Sequence, residues 1–474
     1  MGSSLQAEKG GLEVVAEKGE SATASTNERD IPWTPEAEKR LVRKIDLCLI
    51  PMLWVMNLLS WMDRANLGNA NIAGLTQDLS LTSHQYSTAV GAFYYGTILW
   101  SPIANLIVAR TRPSIYLPAI MGLWGILTAA TSMVNSYPVL VVTRVLLGML
   151  ESGLTPAVIY LLSCWYLPSE TGKRSALFLT SALIGGIFSG LIAGGLMATL
   201  DGAHGLRGWR WLFIAEGAIT IVMAAVAAWI LPDFPGTSKR LSSEEKDIAV
   251  QRLARIGTTT QGDASEKLTI ATTVVTALKD WKTYAVACGT ATSSGAMTLI
   301  YFFPILVKGL GYTDPIMAQY MTAPIWAVAF VLTVAAGFAA DRIPQHRGLV
   351  VAGGAALASA MAIITCFVHD FKARYVLLCI MSSGSWINYS QILSYMADMF
   401  GSVHPQVRAF SIGCITTAAQ AGMIYGPYFF PAENAPKHLL GFGMVSVVAA
   451  LCACFYVGIY FGWRYQCRRR SDSS

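Results

Sequence analysis

The chain alternates between long apolar runs and shorter polar connections. Twelve predominantly apolar runs occur, at residues 46–68, 86–108, 114–134, 138–162, 175–199, 210–231, 283–307, 317–340, 348–368, 374–398, 409–430 and 439–463. A helix that crosses a bilayer needs about 20 such residues. The pattern therefore predicts an all-α membrane protein with twelve transmembrane helices, which we call spans 1 to 12.

The longest polar interruption divides the twelve runs into six and six. Within it, Ser242 and Glu245 form a capping-box pattern at the head of EEKDIAVQRLARI, which predicts an amphipathic helix at the membrane surface. The expected organisation is an amino-terminal tail at 1–45, a first six-helix half at 46–231, a linker at 232–282, a second six-helix half at 283–463 and a carboxy-terminal tail at 464–474.

Composition and charge agree with a membrane protein. The chain is 54% hydrophobic and 13% charged, whereas soluble domains carry about 25% charged residues. Most Lys and Arg residues fall in the tails and in connections on one side, and such positive loops stay cytoplasmic. We therefore expect an integral protein of the plasma membrane with both termini cytoplasmic, in contact with the lipid bilayer and without a nucleic-acid partner.

The cysteines do not indicate a metal site. Cys452 and Cys454 are two residues apart in a predicted helix, so their side chains point to different faces. Cys467 lies in the tail predicted to be cytoplasmic, where thiols stay reduced. We expect neither a disulfide nor a bound metal.

Two short basic turns, NLIVARTRP after span 2 and GFAADRIPQHR after span 8, occupy equivalent places in the two halves. The second turn resembles the signature loop of the major facilitator superfamily, with Gly337, Asp341, Arg342 and Arg347 at the expected spacing. The first turn has Asn105 instead of an acid, a form similar to the fungal anion:cation symporters, which include allantoate, nicotinate and pantothenate permeases.

Further strings carry the same resemblance, which covers about residues 45 to 465: DRANLGNAN, RVLLGMLESGLTPAVIYLLSCWY, GWRWLFIAEG and GPYFFP. The resemblance implies two six-helix halves that work by alternating access around a central cavity. It also implies a gating role for Asp341 and Arg342 in the turn after span 8.

Asp63 and Arg64 interrupt the end of the first apolar run. A charge within a span costs a few kcal/mol and usually faces a cavity or a partner. One interpretation is that span 1 ends there and the two side chains reach the outer interface. The resemblance favours the other, because related organic-anion transporters carry an Arg here, often after an acid, that lines the central cavity.

Span 4 contains a second charged pair, Arg144 and Glu151. The two residues are seven positions apart and share one helical face. An Arg–Glu bridge that only holds helices together is one interpretation. The functional interpretation is that Arg64 and Arg144 bind a substrate carboxylate through planar guanidinium groups while nearby carboxyl groups exchange protons.

Proton coupling requires a titratable group inside the membrane. All six histidines fall in loops or at loop edges, so the candidates are Asp63, Glu151 and Glu216. Burial favours the neutral, protonated form of a carboxyl group. Glu151 is the leading candidate for the coupling proton, and Asp63 is the second.

Other polar residues within spans are candidates for substrate contacts: Asn57, Tyr94, Tyr301, Asn388 and Gln420. For each of them, a hydrogen bond between helices is an equally good interpretation. Three glycines of span 5, Gly186, Gly190 and Gly194, recur every four residues and predict a close-packed helix contact.

The leading functional hypothesis is a proton-coupled symporter of a small carboxylate-bearing organic anion or vitamin. The alternatives are an exporter or exchanger of an organic acid or secondary metabolite, and a non-transporting nutrient sensor. No phosphate-binding loop of the G-x-x-x-x-G-K-[ST] type occurs, so ATP-driven pumping is not expected. The leading hypothesis is a transporter, and we do not expect an enzyme. The expected partners are the anion and protons, with no other cofactor, and we expect a monomer.

Overall fold

The computed structural model describes residues 33–238, 240–254, 269–401 and 403–471. Residues 1–32 of the predicted amino-terminal tail, 255–268 of the predicted linker and 472–474 of the other tail lie outside the described residues. The described part of the chain is helical and contains no strand. The all-α prediction is confirmed.

Helices lie at all twelve predicted positions. In chain order, spans 1 to 12 are Pro35–Ala70, Ser83–Arg110, Pro113–Thr131, Tyr137–Glu151 with Leu154–Trp165, Pro168–Leu200, Gly208–Ile230, Trp281–Met297 with Phe303–Gly309, Pro315–Tyr320 with Thr322–Arg342, Arg347–Phe367, Phe371–Met399, Pro405–Tyr425 and Leu439–Ser471. Among the described residues, nine of these segments are long and apolar enough to cross a membrane. Because an even number of spans alternates in direction, span 1 begins and span 12 ends on one face, which we call the terminus-bearing face.

Span 1 is longer than its apolar run. The side chain of Thr34 caps it by accepting a hydrogen bond from the backbone N–H of Ala37, and Pro35 occupies the first turn. The helix continues through Asp63 and Arg64 to Ala70. The two charged residues therefore lie inside the helical bundle and not at the end of the span.

Span 4 is interrupted where the sequence predicted a continuous helix. Its first helix ends at Glu151 and its second begins at Leu154. Gly153 lies in the interruption, directly against the hydroxyl of Tyr116, and a Cβ atom there would overlap that hydroxyl. The break leaves Glu151 at the end of the first helix, next to a short turn formed by Ser152 and Gly153.

Span 7 is also interrupted. A 3-10 segment, Thr298–Phe302, connects its two helices. All five residues of this segment are buried. The tighter turn carries Tyr301 towards the first half of the protein, where its hydroxyl meets that of Tyr94.

Spans 2 and 4 approach each other backbone to backbone. A Cβ atom at Gly148 would overlap the carbonyl oxygen of Phe93, and one at Gly96 would overlap the carbonyl oxygen of Val145. Small residues allow such close approach between membrane helices. The contact fixes the ring of Phe93 beside span 4.

The two halves of the molecule meet near the face opposite the terminus-bearing face. Ser87 donates a hydrogen bond to the carbonyl of Pro427 at 3.0 Å. Gln319 of the second half donates to the carbonyl of Asn69 at 2.9 Å. These bonds join the ends of spans 1 and 2 to spans 8 and 11.

The predicted glycine seam of span 5 forms part of the same contact. Gly186 packs against the ring of Trp326, and Gly190 packs against Thr322. Gly194, one turn further on, packs against Tyr320. The prediction of a close-packed seam is confirmed, and its partner is span 8.

At the terminus-bearing face, a surface helix, Ser243–Ala254, docks onto the first half. Its capping box is present as predicted, with Glu245 N donating to Ser242 Oγ and Ser242 N donating to Glu245. Lys44 of span 1 forms an ion pair with Glu245 at 2.7 Å. The buried Arg252 contacts the carboxylates of Glu38 and Glu170. The linker helix is thereby attached to spans 1 and 5.

Candidate functional site

An ion pair between spans 1 and 4 lies at the centre of the first half. Arg64 Nε donates to Glu151 Oε2 at 3.0 Å, and Ser60 Oγ donates to the same oxygen at 2.6 Å. Glu151 is 2% exposed, and its second oxygen, Oε1, has no hydrogen-bond partner among the described residues. Oε2 thus accepts two hydrogen bonds, whereas Oε1 accepts none from the described residues.

Aromatic rings surround the Arg64 guanidinium. It lies 5.0 Å from the ring centroid of Trp61 and 5.1 Å from that of Phe93. Cations at such distances are attracted by the ring faces, and more strongly when water is excluded. The rings hold the guanidinium in place without using its hydrogen-bond donors.

Arg144 lies against the same phenyl ring. Its guanidinium carbon is 5.3 Å from the centroid of Phe93, and the residue is 1% exposed. Its Nε and Nη2 atoms have no hydrogen-bond partner in the described part of the chain. A buried charge without a partner is costly, so these donors are the groups of the site best placed to bind an anion.

The structure corrects one predicted pairing. The seven-residue spacing suggested a bridge between Arg144 and Glu151, but Glu151 pairs with Arg64 of span 1. Seven residues of helix separate two positions by about 10 Å along the axis. Sharing a face is therefore not enough for contact, and the interaction joins two spans.

Asp63 lies on the other side of the site, close to Glu216 of span 6. Asp63 is 3% exposed and Glu216 is 1% exposed. Asn66 donates a hydrogen bond from Nδ2 to Glu216 Oε2. Neither oxygen of Asp63 has a hydrogen-bond partner among the described residues. The two candidate proton carriers, Asp63 and Glu151, therefore have different surroundings.

Tyr94 and Tyr301 connect the two halves next to the site. Their hydroxyl groups form a hydrogen bond with each other, and both residues are buried. Both hydroxyls also interact electrostatically with Arg64. The two predicted contact residues are thus brought together with the Arg pair.

A cluster of tryptophans bridges the halves on the side of Arg64. The ring centroids of Trp61 and Trp386 are 5.4 Å apart, and those of Trp386 and Trp326 are 5.7 Å apart. Tyr389 extends the cluster at 5.9 Å from Trp386. Residues of both halves therefore form the apolar wall next to the guanidinium.

Three predicted substrate contacts lie elsewhere. Asn57 donates to Ser181 Oγ at 2.7 Å and joins spans 1 and 5. Asn388 accepts from Ser293 and donates to the carbonyl of Val351 at 2.9 Å, all within the second half. Gln420 is half-buried on span 11. For Asn57 and Asn388, the geometry is that of hydrogen bonds between helices.

The predicted gate residues lie at the terminus-bearing face. Asp341 accepts from Arg347 Nη2 at 2.7 Å, and Arg347 Nη1 donates to Asp398 at 2.8 Å. The Arg347 side chain is 13% exposed, whereas Arg342 is exposed. Arg347 therefore connects the ends of spans 8, 9 and 10.

Sequence reasoning overlooked several residues of the site. Ser60 lies one turn before Arg64, and Asn66 lies three residues after Asp63, so helical spacing could have placed both beside the charged pair. No comparable spacing in the sequence predicted the position of the Phe93 ring. Its position depends on the close contact of spans 2 and 4, which is a tertiary feature.

The chain was compared with known families and proteins. The family model of the Major Facilitator Superfamily matches residues 53–427. The MFS-type transporter cnsO of Penicillium expansum is 32% identical, with 96% of this chain and 91% of cnsO covered. The MFS transporter prlL of a fungal species is 30% identical, with 97% and 94% covered.

The chain also shares its fold with transporters of known structure. A bacterial homologue of the human lysosomal transporter Spinster, in an inward-facing and unoccupied conformation, superposes with a TM-score of 0.70. The match covers 91% of this chain and 98% of the homologue, at 16% sequence identity. At that identity the likeness concerns the fold alone.

Proposed function

This chain belongs to the Major Facilitator Superfamily and is a membrane transporter, not an enzyme, and from this premise we propose that it is a proton-coupled symporter of a small carboxylate-bearing organic anion. We place it in the fungal anion:cation symporter branch, on the strings quoted above. The proposal includes the plasma membrane, cytoplasmic termini and a monomeric state.

One observation carries the proposal: the half-buried Arg64, paired with the buried Glu151, lies beside the buried Arg144, which has donors without a partner among the described residues. Arg144 offers Nε and Nη2, and Arg64 is held by only one carboxylate oxygen, that of Glu151. Guanidinium groups bind carboxylates by paired hydrogen bonds with a defined geometry. An anion that entered the site would therefore compete with Glu151 for Arg64 while it engaged Arg144.

The same arrangement supplies a mechanism of coupling. A proton on Glu151 neutralises the carboxylate and weakens its bond to Arg64. Arg64 then becomes available to the substrate carboxylate, so proton binding and anion binding favour each other. In this scheme Arg64, the partner of Glu151 in the ion pair, is the residue that Glu151 releases.

The contacts between the halves suggest the conformational step. The described bonds between the halves lie near the face opposite the termini, for example Ser87 with Pro427. With cytoplasmic termini, this is a state closed to the outside. Opening to the outside requires these bonds to break, and alternating access follows from exchange between the two states.

Transport by the purified protein in proteoliposomes tests the proposal. Uptake of a panel of labelled carboxylates would be measured under an inward proton gradient, an outward one and none. The panel includes monocarboxylates with and without a ring, dicarboxylates and ureides, together with matched amides that lack the negative charge. We expect one carboxylate class to accumulate only when protons flow in the same direction.

The three gradient conditions distinguish a symporter from an exporter or exchanger and from a sensor. Accumulation driven by an outward proton gradient, or only by exchange with internal substrate, would support an exporter or exchanger. Binding without movement would indicate a sensor. Equal transport of the matched amides would contradict recognition of a carboxylate by Arg64 and Arg144.

A further inference from the structure

Five ionisable groups lie together in the first half of the protein: Arg144, Asp63, Glu151 and Glu216 are buried, and Arg64 is half-buried beside them. Asp63 interacts electrostatically with Glu216, Glu151 and Arg144. With every group in its usual ionised form, the set carries two positive and three negative charges. A net charge buried in a membrane protein is strongly unfavourable.

The surplus negative charge lies between Asp63 and Glu216. Glu151 is neutralised by its ion pair with Arg64. That leaves Arg144 as the one remaining cation for two carboxyl groups. Two carboxyl groups that share a buried site cannot both ionise easily, because like charges repel in a low dielectric.

The three side chains lie in one layer of the bundle. Arg144 is seven residues from the start of span 4 at Tyr137, and Glu216 is eight residues from the start of span 6. At 1.5 Å per residue, both lie roughly 10–12 Å from the helix end on the face opposite the termini. Asp63 lies one helical turn before Asn66, whose Nδ2 donates to Glu216, which places Asp63 at a similar depth.

The polar atoms around this layer lack partners. Asp63 Oδ1 and Oδ2, Glu216 Oε1 and Arg144 Nη2 have none among the described residues. Thr128 Oγ1 of span 3, which also faces Asp63, has none. Buried polar atoms are almost always hydrogen-bonded. Arg144 Nη2 and Thr128 Oγ1 can donate, but the three oxygens of Asp63 and Glu216 can only accept while both groups are ionised. A proton on either carboxyl group would supply a donor between them.

We propose that Asp63 and Glu216 share a single proton, which forms a proton-binding site separate from Glu151. With that proton the five groups are electrically neutral, and Asn66 orients Glu216 by its hydrogen bond. The proposal deepens the proposed proton coupling and rests on it for its role in transport. The shared proton itself depends only on the charges and contacts described above.

Charge counting makes a specific prediction about single substitutions. Asp63→Asn or Glu216→Gln each removes one negative charge, after which the remaining ionised groups balance without a proton. Either variant alone should therefore abolish the shared proton. Two independently protonated carboxyl groups would behave differently, because each substitution would remove only its own proton.

Infrared difference spectroscopy of the purified full-length protein tests this, because a protonated carboxyl group has its own C=O stretching band. We expect a band from a buried protonated carboxyl at neutral pH in the wild-type protein. It should vanish in Asp63→Asn and in Glu216→Gln. Glu433→Gln, at an exposed position in a connecting loop, is the matched control and should retain the band.

Two results would contradict the proposal of a shared proton. No such band in the wild-type protein, or a band that survives either single substitution, rules out a shared proton. Glu216→Asp keeps a carboxyl group and should keep a shifted band, which covers the case in which a neutral variant fails to fold. No substrate or gradient is used, so the result is independent of whether proton-driven uptake is observed.

Discussion

Arg64 and Glu151 form an ion pair of 3.0 Å between two spans, and the two partners differ in exposure. The Arg64 side chain is 19% exposed and that of Glu151 is 1% exposed. A ligand can therefore reach the guanidinium more easily than the carboxylate. This asymmetry suits an arrangement in which a substrate approaches the Arg while the Glu remains buried as its internal counter-ion.

The first prediction concerns the shape of that guanidinium. Arg64→Lys keeps the positive charge, but it replaces a planar group that bonds both Glu151 and Ser60 by a compact ammonium. We expect membrane insertion to be normal and anion affinity to fall by roughly tenfold or more. Equilibrium binding of the labelled substrate measures this.

Arg112→Lys is the matched control, because Arg112 is exposed at the start of span 3. The control should bind substrate like the wild-type protein. Near-normal binding by Arg64→Lys would remove Arg64 from the proposed substrate site.

The fold could be predicted from the sequence because the pattern of long apolar runs is repeated over many residues. Each span contributes about 20 apolar residues, and a single charge such as Arg64 does not hide the pattern. The interruptions at Glu151 and Thr298 were not predicted, although Pro156 follows the first break and Pro304 follows the second. A proline removes a helical hydrogen bond and disfavours a continuous helix before it. Contacts with other spans, such as Tyr116 against Gly153, contribute as well.

The sequence predicts which charged residues form the site, but not which of them pair with each other. Asp63, Arg64, Arg144 and Glu151 stand out as charges within apolar runs, whatever the tertiary structure. Which carboxylate meets which guanidinium depends on the rotation of each helix about its axis. That rotation is set by packing between spans, as in the contact of Gly148 with Phe93.

The second prediction concerns the bond between the halves at Tyr94 and Tyr301. Tyr94→Phe and Tyr301→Phe each remove one hydroxyl and leave the ring. A hydrogen bond contributes about 1 kcal/mol. Each variant should therefore shift the equilibrium between the two conformations roughly fivefold towards the one in which the halves separate at the face opposite the termini. The double variant should shift it no further, because both substitutions break the same bond.

Thiol labelling measures this shift. A cysteine introduced at Thr88, whose hydroxyl bonds Tyr428 across the halves at 2.9 Å, would react with a membrane-impermeant reagent when the halves separate. The parent protein without that cysteine is the background control. Additive effects of the two substitutions would show that the hydroxyls act independently.

The third prediction concerns the terminus-bearing face. Arg347 contacts both Asp341 and Asp398, whereas Asp341 is 72% exposed and contributes one of the two bonds. Exposed ion pairs contribute little. Arg347→Gln should therefore slow transport more than Asp341→Asn, and both should leave substrate affinity within a few fold.

Initial uptake rates and equilibrium binding, measured side by side, separate these effects. Arg408→Gln is the control, since Arg408 is exposed at the start of span 11 on the same face. A selective loss of affinity in Asp341→Asn, with the cycling rate intact, would contradict a gating role.

The fourth prediction tests the close contact of spans 2 and 4. Gly148→Ala places a methyl group against the carbonyl of Phe93, so the helices must separate. Overpacking of this kind costs of order 1–3 kcal/mol, and we expect a lower melting temperature in detergent. Gly353→Ala, which meets nothing within 4 Å, should leave the melting temperature unchanged or slightly raised. Equal effects of the two substitutions would rule out the packing argument.

The last prediction concerns Glu151 as the carrier of the coupling proton. Glu151→Gln keeps an oxygen that can accept from Arg64 and Ser60, so the local packing should survive, but the side chain can no longer ionise. Arg64 is then permanently released from a negative partner, as it would be by protonation. Substrate binding and exchange of internal for external substrate should persist, while accumulation driven by a proton gradient should be lost.

Counterflow and gradient-driven uptake in the same proteoliposomes distinguish these two activities, with the exposed Glu433→Gln as a control that retains both. Loss of counterflow together with uptake would mean that Glu151 is needed for binding, and its coupling role would fail. Accumulation that continues in Glu151→Gln would assign the coupling proton to another group. The pair of Asp63 and Glu216 would then be the site to examine, because these are the other buried carboxyl groups of the first half and the charge of Arg144 acts on Asp63.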